Sequence, residues 1–206
     1  MTPLALTAIT NFLWASEAFF LAGMLFGQMD ILMGPYGIWA VSITLMGTGA
    51  LLGGIDHGFF EPIGREWKGR MAMQKLSWIV AGVMTFAIVV VCALRFFPDR
   101  YSNVVIAAGL AQLCVFLVLI FRTDKFLVVI VNYVPVMLLF LGLNIYGLST
   151  GTGSLNLVIG LVIAFIASAI QMAKVNIFHP LNWNGLYHLV MMVATMFLYM
   201  GGLDLK

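Results

Sequence analysis

The chain has 206 residues, 63% of them hydrophobic and 9% charged, with a formal net charge of +2. Water-soluble domains carry about 25% charged residues, so this chain lacks the polar surface needed to face water. With a mean hydropathy of +1.07 it reads as an all-α polytopic membrane protein, and so small a charge, with no basic run among aromatics, excludes nucleic acid as a partner.

A helix needs about 20 apolar residues to cross the hydrocarbon core. Seven segments meet that length, at 6–27, 36–60, 76–97, 101–121, 126–147, 154–173 and 182–203, and together they make one seven-helix transmembrane domain, 1–206. The first span lacks a basic leader and a small-residue cleavage pattern, so it is expected to be retained. The connection Pro98-Asp99-Arg100 is short enough to force an antiparallel hairpin. Pro135 lies inside the fifth span and should kink it. Cys92 and Cys114, each in an apolar span and without a C-x-x-C partner, read as small core residues. Gln112 and Asn132 read as amides that bridge helices.

The loops are asymmetric. Arg65, Lys68, Arg70, Lys75, Arg122, Lys125 and Lys174 fall in the second, fourth and sixth, against Arg95, Arg100 and Lys206 on the other side. This bias predicts a cytoplasmic N-terminus and an external C-terminus. Trp67, Trp78 and Trp183 are expected at the inner boundary and Trp39 at the outer one.

That topology gathers the ionisable groups. His57 ends the second span, and His179 and His188 open the seventh, all at the inner side, with Gln171 beside them near the end of the sixth. Glu17 lies midway along the first span, where an acid is costly and faces a partner or a cavity. Asp56 is about 100° round the helix from His57, whereas Glu61 is four residues beyond it and pairs with it if the helix continues. On one straight helix His179 and His188 would face opposite ways, about 13 Å apart in rise. Pro180 disfavours helix at His179 and lets it fold back. Asn184 and His188 share a face at i, i+4, with Tyr187 in support. Three neutral imidazoles with an open position suit zinc.

Two segments carry a resemblance: Gly53-Gly54-Ile55-Asp56-His57-Gly58-Phe59, and the stretch from Asn184 to Tyr187-His188. At these residues the sequence resembles small bacterial seven-helix membrane proteins and, more distantly, the CREST superfamily of alkaline ceramidases and progestin and adipoQ receptors. The resemblance implies a zinc held by one histidine of span two and two of the last span, and it carries to His57 and His188. Asn184 stands where the other last-span histidine is expected, Gly53 where a serine is, and no aspartate occurs between Leu76 and Phe97. His179 is the expected replacement ligand. On that expectation Glu17 or Asp56 takes the proton of a zinc-bound water with pKa about 7, Gln171, Asn184 and Tyr187 contact the ligand, and the activity is lipid-amide hydrolysis in the bacterial inner membrane. The alternative is a non-catalytic lipid-binding protein or accessory subunit, with a membrane-protein partner or a second copy of itself. A third is a transporter or proton relay through Glu17 and the histidines.

Overall fold

The computed structural model describes residues 1–64 and 67–206. Among them, seven helices are long and apolar enough to cross a membrane. They are α1 (Pro3–Phe26), α2 (Pro35–Ile55), α3 (Lys68–Phe96), α4 (Asp99–Arg122), α5 (Leu127–Thr150), α6 (Leu155–Met172) and α7 (Trp183–Leu203). Their ends are closed locally, as the unpaired groups of a helix terminus require. Thr2, Ser154 and Asn182 cap α1, α6 and α7, accepting from the backbone N–H of Ala5, Leu157 and Gly185 at 3.2, 3.1 and 2.8 Å. Proline opens α1 and α2, where its missing N–H costs nothing. Gly151 ends α5 at φ 75°, a left-handed cap that suits glycine.

The third helix starts eight residues before the predicted span. Its first two turns, rich in Lys, Met and Gln, are good helix formers that hydropathy alone does not mark, so Lys68, Arg70 and Lys75 stand on α3 and not in a loop. Arg65, counted in the loop asymmetry, lies outside the described residues. Trp39 corrects the aromatic-belt expectation. It is 1% exposed and donates from Nε1 to the Leu198 carbonyl at 3.0 Å, so it is a core residue. Cys92 is buried, but Cys114 faces outward from α4, the least buried of the spans.

Packing differs between the two ends of the bundle. Toward loops one, three and five a single core joins six helices, with Leu25, Trp39, Val91, Phe140, Leu157 and Leu198 at its centre. Arg95 closes that end, donating to the carbonyls of Thr152 at 3.0 Å and Asp204 at 3.1 Å, and Ser154 donates to the Asp204 carboxylate at 2.6 Å. Toward loops two, four and six the core divides. One cluster, including Trp14, Ala50, Ala167 and Met191, joins α1, α2, α6 and α7. The other, Phe116, Ile120 and Val129, joins α4 to α5 and packs against Trp78 of α3.

Helices α6 and α7 approach backbone to backbone at Gly201. A Cβ on Gly201 would sit 2.6 Å from the backbone nitrogen of Leu157. Gly201→Val is therefore expected to destabilise the protein by about 1–3 kcal/mol through overpacking, read as a lower thermal midpoint in detergent. An unchanged midpoint would contradict this packing.

Candidate functional site

Between the two divided clusters lies a cavity of about 330 Å³. Its walls are largely apolar, from Leu45, Met46, Val80, Met84, Phe126 and Val129, with Trp14 and Trp78. Its polar groups come from His57, Gln171, Asn184, Tyr187 and His188, with Asn11, Ser77, Tyr133 and Ser168. Five of the eight residues singled out from the sequence therefore line one space.

His188 is buried at the first turns of α7. Its Nδ1 lies 2.9 Å from the Thr10 hydroxyl on α1, which itself donates to the Thr7 carbonyl at 3.0 Å. A hydroxyl has one proton. If that proton goes to Thr7, His188 carries its own on Nδ1 and Nε2 keeps a lone pair. Trp14 stacks on the ring, centroids 5.9 Å apart, and is fixed by donating to Thr195 at 2.9 Å. Beside it, Gln171 donates to Asn184 Oδ1 at 3.0 Å, so the two amides of α6 and α7 hold each other.

His57 is placed by the end of α2. There the helix widens into a π-turn, Asp56–Phe60, then tightens into a 3₁₀ turn, Glu61–Ile63. Such single π-turns recur at functional sites. Helical structure continues far enough for Glu61 to pair with His57 Nδ1, as the i, i+4 spacing predicts. Asp56 and Glu61 also meet Arg70, which is buried on the first turn of α3. Arg70 Nη2 is 3.1 Å from Glu61 Oε1, and Nε is 3.4 Å from Asp56 Oδ1. Gly53 and Gly54 let α1 approach: a Cβ on Gly53 would lie 3.1 Å from Asn11 Oδ1, and one on Gly54 2.8 Å from the Phe12 ring.

Three expected site residues lie elsewhere. His179 is exposed in loop six, in a separate pocket with Pro3 and Asn176, on the far side of the α7 cap at Asn182 in sequence. Asp56 points to Arg70 and not into the cavity. Glu17 is half-buried three residues past Trp14, about 60° further round α1, and its Oε2 has no hydrogen-bond partner among the described residues.

The donor set does not fit the expected zinc. Catalytic zinc is held by three protein ligands. Here the cavity offers two imidazoles, and the third position, Asn184, has its oxygen engaged by Gln171. Asp56, His57 and Glu61 do place ligand atoms within 4.8 Å of one another. Glu61 is engaged by His57 and by Arg70, and the Arg70 guanidinium, 3.4 Å from Asp56 Oδ1 as well, sets a positive charge against a cation there.

Sequence reasoning missed Thr10, Asn11, Trp14 and Tyr133, and it counted Arg70 only as a loop charge. The signal for the first two was present: Thr7, Thr10 and Asn11 are polar at i, i+3, i+4 on one face of a membrane helix.

The profile of the Family of unknown function (DUF6962) matches residues 6–206. The chain belongs to this family. No curated protein and no solved structure matches it, so the site of this DUF6962 protein is argued from its own geometry.

Thr10→Val keeps the shape of the side chain but removes the acceptor for His188 Nδ1–H. It is expected to cost about 1–3 kcal/mol, the penalty for an unsatisfied buried donor, whereas Thr10→Ser retains the bond. Thermal unfolding of the two variants side by side checks this, and equal midpoints would contradict it.

Proposed function

We propose that this DUF6962 member is a multi-pass protein of the bacterial cytoplasmic membrane that binds a membrane-borne amphiphile in the His57–His188 cavity. The observation that carries the reading is the convergence of His57, His188, Gln171, Asn184 and Tyr187 within an otherwise apolar space. A single-chain amphiphile has the matching division, a polar head for that group and a tail for Met46, Met84 and Val129. Ligand pockets are commonly apolar spaces with a few placed polar groups.

Access is proposed from the bilayer. Phe126, just before α5, with Val129 and Tyr133 of α5 wall one side of the cavity and Ser168 and Gln171 of α6 another, in the half of the bundle where the core is divided. The basic residues of the even loops support placing this end in the cytoplasm. Binding, and not zinc-dependent hydrolysis, is favoured because the cavity supplies two imidazoles where such a metal needs three ligands.

Gly49 lines the cavity, and a Cβ built there meets nothing within 4 Å. Gly49→Leu is thus expected to fill the space without disturbing the fold. Lipid extraction and mass spectrometry of the purified protein should find a bound amphiphile in the wild type and at least about tenfold less in Gly49→Leu, an effect of about 1.4 kcal/mol, with unchanged thermal stability. Equal recovery from both, or no specific lipid in either, would overturn the reading.

A further inference from the structure

The ion cluster at the end of α2 lies beside the cavity and touches it through one member. Arg70 is 6% exposed and reaches both Asp56 and Glu61. The two oxygens of Glu61 are divided: Oε1 faces Arg70 and Oε2 faces His57 Nδ1. His57 alone of the four lines the cavity.

We propose that Glu61, braced by Arg70, is a positioning residue that fixes His57 as the Nδ1–H tautomer, so that Nε2 is the hydrogen-bond acceptor offered to the bound head group. An ionised carboxylate only accepts hydrogen bonds, so the imidazole nitrogen that faces it carries the proton. This is the role of a carboxylate behind a histidine wherever ring orientation matters. Arg70 prevents Glu61 from turning away, and the Asp56 carboxylate lies 3.4 Å from Arg70 Nε. The Thr10 hydroxyl does the same for His188. Both imidazoles line one cavity, and a ligand that satisfies two acceptor nitrogens there bears O–H or N–H donors. A phosphate or carboxylate head would set its lone pairs against theirs. The inference rests on the amphiphile reading for its ligand class but not for its tautomer.

Two measurements separate those parts. In ¹⁵N-histidine protein in ligand-free nanodiscs at about pH 8, where an ordinary imidazole is neutral, the His57 signals are assigned by their loss in His57→Asn. The wild type is expected to show Nδ1–H. Glu61→Gln, whose amide can present either a donor or an acceptor, should lose that preference while the His188 signals stay in place. An Nε2–H tautomer in the wild type overturns the proposal whether or not the variant folds, and so does a tautomer unmoved in a folded variant.

The second measurement compares binding of dodecanol with that of its methyl ether, which lacks the donor. The wild type is expected to favour the alcohol at least about tenfold, a difference of about 1.4 kcal/mol, with the ratio falling toward one in Glu61→Gln. Equal wild-type binding overturns the donor specificity. If neither compound binds but the tautomer is as expected, the amphiphile reading falls and the positioning role stands.

Discussion

A polar side chain carried into hydrocarbon has no water to turn to, so it must find its partner on its own helix or on a neighbour. In this chain the cross-helix choices decide which helices meet. Trp39 on α2 reaches the Leu198 carbonyl on α7, and Trp14 on α1 reaches Thr195 on the same helix. Gln112 on α4 donates to both oxygens of Asn132 on α5, at 3.0 and 3.1 Å. Each bond is worth only about 1 kcal/mol in a membrane. Their value lies in register, since apolar packing against lipid-like neighbours leaves the sliding of one helix past another weakly opposed.

The same requirement explains why the two ends of the bundle differ. At the end closed by Arg95, the partners are mostly backbone carbonyls and capping groups, and they pin the α5–α6 turn to the C-terminal residues. A single core can form behind them. At the other end two of the polar links lie within a half, α6 to α7 and α3 to α4, and the Arg70 cluster alone of these three crosses between the halves. Gln171 and Asn184 join α6 to α7, Arg70 joins α3 to the end of α2, and Lys75 of α3 donates to the carbonyls that end α4. No such bond links α5 to α6 there among the described residues. The cavity occupies the space between the halves, bridged at its edge by the Arg70 cluster.

Much of this was legible in the sequence. Hydropathy marked all seven spans, because length and apolarity are set by the bilayer and need no knowledge of contacts. The shared location of His57 and His188 followed from counting spans, and the Glu61 pairing from i, i+4 geometry. What failed depended on contacts. His179 was expected to fold back because Pro180 permits a bend, but a proline says that the chain turns and not which way. Trp39 was read by its distance from the end of a span, whereas its burial depends on α7 and on Phe140. Glu17 was ranked by insertion cost, which says that an acid needs a reason to be there and not which wall it joins.

The Arg70 cluster bears on why such a costly group is kept. Moving three charges out of water is compensated only when geometry is good, and apolar replacements of similar size are often as stable. Stability alone is therefore a weak reason for Asp56 and Arg70 to be buried beside the half-buried Glu61. A positioning role asks something that apolar packing cannot supply, namely a hydrogen-bond acceptor of fixed direction behind one imidazole. The π-turn is consistent with this. It inserts an extra residue where an α-helix would have continued, and Asp56, His57 and Glu61 lie close together across it. Local regularity is given up at the one point where α2 meets both the cavity and α3.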